Sequence, residues 1–580
     1  MIIITNILYA NLGTMSIAAP KIDITDNFIS AESNSKNLTL DKKLENDVSY
    51  NIVKDNHNKN TISFRGIQSR ATNVIEDLIP SYKTTAGNID FYYNHGMYDI
   101  SSNMLISPSS LGVSSMGSDI ELLTKKPQRK FEAQINTSIS QSDNEQKLYL
   151  GSKQKNYFVQ FNLNRYKSDQ YKLSDDFSVT AEQPSKNRLN SDNQQNSYEL
   201  KAGVNLTDKD SLTLKYQNSK SNFGINPNVY DNSIGYQRIN KKDLESFYGY
   251  YDHIDENYET NIRLYYDDYQ DIFDDYTDNT YTSLRFPSSL FDNSRLGFIT
   301  KTKFKKDRDE LSFILKMQED EHIWKRDGSS YIPKFKYRDI SASVIGKKEY
   351  NNITLNTAIT YKNFKPVTVD YDGDPTFTQT EDGTSNDALD YQIGLNYLID
   401  TNLWYISHSK TTRTPAMTEM FAFFSWDKIN TDLKAESSKN IEIGYKRFLD
   451  YGLYSLAIFN YDIKDKIVTT NNKATNLDKA THKGIEFRYE NRYFNKHDFK
   501  LSYLYTEAKD DSNNDLELIP ENKLVIEDKI NLSNRYSANI QYIYTAKRKD
   551  NTTSGVKTLS AYSLINLSLY NTPRKTNNIL

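Results

Sequence analysis

Residues 157–166 read YFVQFNLNRY. Taken in steps of two, Tyr157, Val159, Phe161 and Leu163 fall on one side of an extended chain, and Gln160, Asn162 and Asn164 on the other. A period of two marks a β-strand with unlike faces. The alternation returns in YELKAGVNL (Tyr198, Leu200, Ala202, Val204, Leu206) and ITLNTAITY (Ile353, Leu355, Thr357, Ile359, Tyr361), then in YQIGLNY, FKLSYLY, ANIQYIY and INLSL. From about Lys130 to the end there are about twenty such segments, each close to the 9 to 11 residues that a tilted strand needs to cross a bilayer.

Short and long connections alternate. FLDYGLY (Phe448 to Tyr454) and the break at Asn351 and Asn352 read as turns, whereas Asp268 to Asn293, Trp324 to Tyr337 and Asp370 to Asp387 read as long loops. One end of short turns and one of long loops is the layout of an all-β transmembrane, antiparallel barrel. A soluble sandwich or propeller also has period-two strands. Against it stand the aromatic residues that close many segments (Tyr265, Tyr266, Tyr361, Tyr503, Tyr505, Tyr542, Tyr544), as at membrane interfaces, and the lack of blade-length repeats.

Composition narrows the choice further. Hydrophobic residues make up 37 % of the 580, with a mean hydropathy of −0.74. No window approaches the roughly 18 apolar residues of a spanning helix. An aromatic content of 13 %, with 44 Tyr, argues for a folded chain. The 72 Lys and Arg are interleaved with 76 Asp and Glu, leaving no field that would attract nucleic acid. There is no cysteine, hence no disulfide framework and no thiolate metal site. The opening MIIITNILYAN (residues 1–10 and onward) is either a buried strand or the remnant of a signal peptide; it has no basic residue before Lys21.

Residues 20–127 lack the long alternation. NLTLDKKLEND reads as a short helix, and TISFRGI (Thr61 to Ile67), NVIEDLI (Asn73 to Ile79) and SDIELLTKKP as short buried strands. A small α/β domain beside so large a barrel has a natural seat, since about twenty strands enclose a lumen too wide for side chains to fill.

ISFRGIQSR, VIEDLIP and ISPSSLGVSSMGSDIELLTKKP resemble, in this order, the plug motifs of TonB-dependent outer-membrane receptors of the siderophore-receptor type. SKTTRTPAMTEMF, DLKAESSKNIEIGYK and KGIEFRYE are similar to the late-barrel signature of the same family. The resemblance implies a plug over 21–127 inside a barrel over 128–580, in the bacterial outer membrane. It also implies active, non-enzymatic import of a scarce nutrient driven by the inner-membrane TonB complex. That complex grips an extended segment before the plug by adding it as a strand to a sheet edge. LGTMSIAA, within 11–20, resembles such a box, with Gly13, Thr14, Met15, Ser16 and Ile17 at its centre; the plainer reading is an N-terminal tail. The plug motif maps onto Arg65, Gly66, Asp77, Pro80, Gly112 and Gly117, for which a structural role is favoured over ligand contact.

Among the cargoes that the family carries, a ferric siderophore suits aromatic faces interspersed with cations. Tyr82, Tyr92, Tyr93 and His95 in the plug and Trp324, Arg326 and Trp426 in the outer loops are the candidate contacts. Haem or cobalamin is the alternative, although no His lies between Arg413 and Leu433. DYDGDPTFTQTE spaces Asp370, Asp372, Asp374 and Glu381 like a calcium loop, but Pro375 stands where that turn needs Gly, so no cofactor is expected. No nucleophile, phosphate-loop or zinc spacing points to an enzyme.

Departures from the family pattern are Leu78 for the Gly expected after Asp77, Ser107 for the Gly before Pro108, and Ser118 for the second Gly of a pair. The resemblance also implies about twenty-two strands and an aromatic last residue, so with NTPRKTNNIL at the end about two strands are expected to be absent. A clipped transporter and a non-transporting relic or surface-binding protein both stay open.

Overall fold

The computed structural model describes residues 29–30, 40–54, 60–90, 102–107, 115–139, 142–230, 235–328, 332–370, 385–421, 430–470, 473–492, 496–552 and 555–571. Twenty strands from Glu132 to Asn571 pair antiparallel, each with its neighbour in sequence, and are arranged as a closed barrel. A hairpin (Arg548–Thr552 with Gly555–Leu559) projects from the last long connection. The ring is completed where Tyr562–Asn571 comes beside Glu132–Ile139. Ile565 and Ile135 of these two strands are 69 % and 74 % exposed.

The wall is inverted relative to a soluble core. Along Tyr157–Ser168, Tyr157, Val159 and Leu163 face outward, and Gln160, Asn162 and Asn164 are buried in the lumen. Tyr198, Leu200 and Val204 likewise point out, as do Ile353, Leu355, Ile359 and Tyr361. A polar lumen and an apolar outer belt are what a bilayer-spanning barrel requires.

Several loops expected from sequence are shorter than read. Tyr258–Tyr276 and Ser289–Lys306 leave only 277–288 between them, and Asp309–Arg326 and Lys334–Tyr350 leave 327–333. Strands of 17 to 19 residues carry the ladder beyond the bilayer on the long-loop side. Tyr265 is no interface aromatic: it faces the lumen, where its hydroxyl donates to Gln318 Oε1 at 2.7 Å.

The N-terminal part forms two small sheets inside the ring. One joins β1 (Ile29–Ser30), β4 (Asn73–Glu76), β5 (Ile79–Pro80), β6 (Ser102–Ser107) and β7 (Asp119–Thr124); the other pairs β2 (Tyr50–Lys54) with β3 (Asn60–Phe64). Helix α1 (Leu40–Glu45) packs Leu40 and Leu44 against Tyr50, Phe64, Val74, Ile120 and Leu122. TISFRGI and NVIEDLI are therefore not single strands, because each is broken by a two-residue turn, at Arg65-Gly66 and at Asp77-Leu78.

Candidate functional site

Both turns have a positive φ at both central residues: 48° and 81° at Arg65 and Gly66, 48° and 78° at Asp77 and Leu78. This is the hairpin turn whose backbone twist matches that of the flanking strands. The first turn is closed by Ile67 N donating to Phe64 O at 2.8 Å and Phe64 N to Ile67 O at 3.0 Å. Each turn thrusts its first, charged residue at the wall.

Arg65 enters a buried site on the strands Glu436–Leu449, Gly452–Thr470 and Lys473–Asn491. Its Nη1 donates to Glu442 Oε2 and to Tyr461 Oη, both at 2.6 Å, and its Nε to Glu486 Oε2 at 3.0 Å. The guanidinium also lies 4.4 Å from the Phe459 ring centroid. Burial opposes its charge, but the two glutamates outweigh that and raise its pKa further. Beside it, Arg488 Nη2 pairs with Asp47 Oδ1 at 2.7 Å, and Lys523 Nζ donates to the carbonyls of Glu45, Asp47 and Tyr50 at 2.9, 3.1 and 2.6 Å. Lys523 thus satisfies the end of α1, where unpaired carbonyls and the helix dipole favour a cation.

Half-way round the ring of twenty the polarity reverses. Asp77 accepts from Lys201 Nζ and from Thr124 N, each at 3.0 Å, and from the Thr124 hydroxyl, while its carbonyl accepts from Arg263 Nε at 3.0 Å. Burial pushes the Asp77 carboxyl up, yet Lys201 and Thr124 together hold it well below the usual range. The adjacent Glu76 shares Lys215 with Glu199, and there burial wins and raises its pKa. Farther toward the loops, Lys242 bridges Asp90 and Asp271 at 3.0 and 3.1 Å.

At the long-loop end, plug and wall diverge to leave a cleft of about 140 Å³. Tyr82 and Arg70 line it from the plug; Tyr337, Phe364, Lys316 and Asp320 line it from the wall. Tyr82 Oη donates to Asp320 Oδ2 at 3.0 Å, and burial keeps that phenol protonated far beyond its ordinary range. The rings of Tyr337 and Phe364 stack at 4.8 Å. The rim is a short helix, α2 (Met417–Met420), whose Glu419 takes Arg413 Nη1 at 2.8 Å from the wall and also pairs with Arg70 of the plug. Burial opposes the Glu419 charge, but the two arginines bring its pKa down to about 2. Thr418 N donates to Thr85 O at 3.1 Å, a second tie between loop and plug.

Of the described residues singled out from sequence, the structure brings only Tyr82 and Pro80 to this cleft. Trp324 and Arg326 end a wall strand instead of standing in a loop; Trp324 is 8 % exposed and stacks under Arg326 at 5.2 Å. Gly117 passes against Ala71, its N–H donating to Ala71 O at 2.8 Å. Gly13, Thr14, Met15, Ser16, Ile17, Tyr92, Tyr93, His95, Gly112 and Trp426 lie outside the described residues, as do Asp372, Asp374 and Glu381 of the calcium-like loop. Sequence reading passed over Glu442, Glu486, Lys201, Lys215 and Glu419. Their available signal was charge at lumen-facing positions, for example Glu442 in NIEIGYK and Glu486 in KGIEFRYE.

Residues 136–578 match the family model described as TonB dependent receptor-like, beta-barrel. No curated protein sequence matches the chain. Among solved structures, the FrpB iron transporter from Neisseria meningitidis is similar at 12 % identity and a TM-score of 0.75, covering 94 % of this chain and 92 % of that one. The copper transporter OprC is similar at 13 % and 0.76, over 93 % and 88 % of the two chains. A mutant of the ferric enterobactin receptor PfeA from Pseudomonas aeruginosa is similar at 13 % and 0.73, over 95 % and 90 %. At these identities the likeness concerns the fold.

Proposed function

Because the chain belongs to the TonB-dependent receptors, whose barrels sit in the bacterial outer membrane, we propose that it imports a ferric siderophore with energy supplied by the TonB complex. The observation that carries this reading is the cleft at the long-loop end, where Tyr82, Tyr337 and Phe364 supply aromatic faces and Arg70 and Lys316 supply cations. Anionic aromatic chelates are held by such surfaces. Below the cleft the plug is bonded to both walls, so passage requires work on the plug. The segment Leu12 to Ala19 is the place for TonB to grip. A metal ion taken without a chelator is the second reading, because Met116 and Met417 both line the cleft and thioethers suit Cu(I).

The test is ligand binding by the purified chain in detergent, followed by quenching of its intrinsic fluorescence. Ferric enterobactin is expected to bind, and Tyr82→Ala with Lys316→Gln to weaken it about tenfold or more. Binding of Cu(I) alone, lost in Met417→Ala, would move the reading to metal import. If neither ligand binds, the cleft is not the cargo site. Deleting Leu12 to Ala19 is expected to abolish energised uptake while leaving binding intact. Binding without uptake by the undeleted chain would favour a surface-binding relic.

A further inference from the structure

The outer surface of five adjacent wall strands, Asn402–Arg413, Glu436–Leu449, Gly452–Thr470, Lys473–Asn491 and His497–Asp510, is ordered in rows. Ile406, Ile443, Ile458 and Ile485 are direct cross-strand neighbours and all point outward, forming an unbroken apolar band. Two to six residues nearer the long-loop end the same outward columns turn basic. Lys410 stands opposite Lys439, and Lys464 opposite Lys479. Lys483 on the same strand as Lys479, and Lys509 on the next strand, complete the group.

Like charges placed directly opposite each other on a sheet face are destabilising unless something neutralises them. Six lysines here face two carboxylates, with Lys479 4.0 Å from Asp462, and Lys483 and Lys509 3.3 and 3.9 Å from Glu507. Lys439 and Lys464 are both exposed; Lys439 also has Asp462 as its cross-strand neighbour, whereas the neighbours of Lys464 are Ser437 and Lys479. A different part of the same rim shows that this is not the general rule. There Lys325 meets Asp292 at 3.0 Å, and Lys336 and Arg338 meet Glu319 at 2.7 and 2.6 Å. A cluster of lysines directly above a lipid-facing band lies at headgroup depth, where long side chains reach the interface.

We propose that this patch binds the phosphate groups of an anionic lipid in the outer leaflet, with Lys439, Lys464 and Lys479 as its centre. The apolar band beneath takes the acyl chains, so the two halves of one lipid are recognised by contiguous parts of one surface. The lipid differs from a free anion in needing both halves.

The full-length chain, purified in a neutral detergent, is offered lipid A, phosphatidylethanolamine or inorganic phosphate, and retained ligand is counted by native mass spectrometry. Lipid A is expected to be retained and phosphatidylethanolamine not. Lys439→Gln/Lys464→Gln/Lys479→Gln is expected to lose retention about tenfold or more, raised salt to do the same, and Lys336→Gln to change nothing. The single Lys464→Gln is expected to give a smaller, graded loss, so the test survives poor folding of the triple variant. Equal retention by the triple variant, equal binding of phosphatidylethanolamine, or displacement of lipid A by millimolar inorganic phosphate would overturn the proposal.

Discussion

The turns Arg65-Gly66 and Asp77-Leu78 share a backbone and differ in almost everything else. Both are two-residue hairpin turns with left-handed φ throughout, and both plant a charged residue in the barrel wall. The first carries a plug cation into two wall glutamates and keeps the glycine that such a turn favours. The second carries a plug anion to a wall lysine and has Leu78 at φ 78°. Glycine is favoured at the first for a local reason as well: a Cβ on Gly66 would lie 2.9 Å from Ile519 Cγ2 and 3.1 Å from His482 Nδ1. Leu78 is only half-buried, and its turn is held by the saturated hydrogen bonding of Asp77. Backbone strain is tolerated where side-chain bonds over-determine the turn.

Substitutions at the four positions separate these effects, from large to small. Arg65→Ala leaves Glu442 and Glu486 buried without their common partner, and is expected to cost about 3 to 5 kcal/mol in plug stability, measured by urea unfolding in detergent. Gly66→Ala combines left-handed strain with crowding against Ile519 and is expected to cost about 2 kcal/mol in the same titration. Asp77→Asn is expected to cost about 1 to 2 kcal/mol at pH 7. Because the folded Asp77 carboxyl is held below its ordinary value, its stabilisation is complete above the ordinary carboxylate pKa and is lost as pH falls through the depressed one. The Asp77→Asn penalty should therefore fade with acidification; a penalty that stays constant to low pH would mean that Lys201 does not hold the charge. Leu78→Gly is expected to gain up to about 1 kcal/mol, relief of strain being partly offset by the entropy of glycine. A loss instead would show that Leu78 contributes packing that outweighs the strain.

The wall was legible because its lipid-facing side is apolar at every second residue, as in YFVQFNLNRY and ITLNTAITY. The lumen face was not legible to the same degree. Tyr265 looked like an interface residue, since a tyrosine suits either a membrane boundary or a buried hydrogen bond, and only the parity of its strand decides. Loop lengths were overread at Asp268 to Asn293 because strands that rise above the bilayer lose the apolar half of their alternation. Arg65, Gly66 and Asp77 stood out through the motif they resemble, but TISFRGI and NVIEDLI read as unbroken strands, so neither the two turns nor their partners were legible. Lys201 lies 124 residues from Asp77, and Glu442 lies 377 from Arg65. No local pattern encodes such a pairing. The cleft was visible only through Tyr82 and Pro80, because its other walls come from strands and from a loop helix distant in sequence.

The most direct test of the account is uptake of labelled iron from ferric enterobactin by cells carrying the full chain, with and without a working TonB complex. TonB-dependent accumulation, lost when Leu12 to Ala19 is deleted, is the predicted result. Iron entry that is indifferent to TonB would contradict the energised transport proposed above.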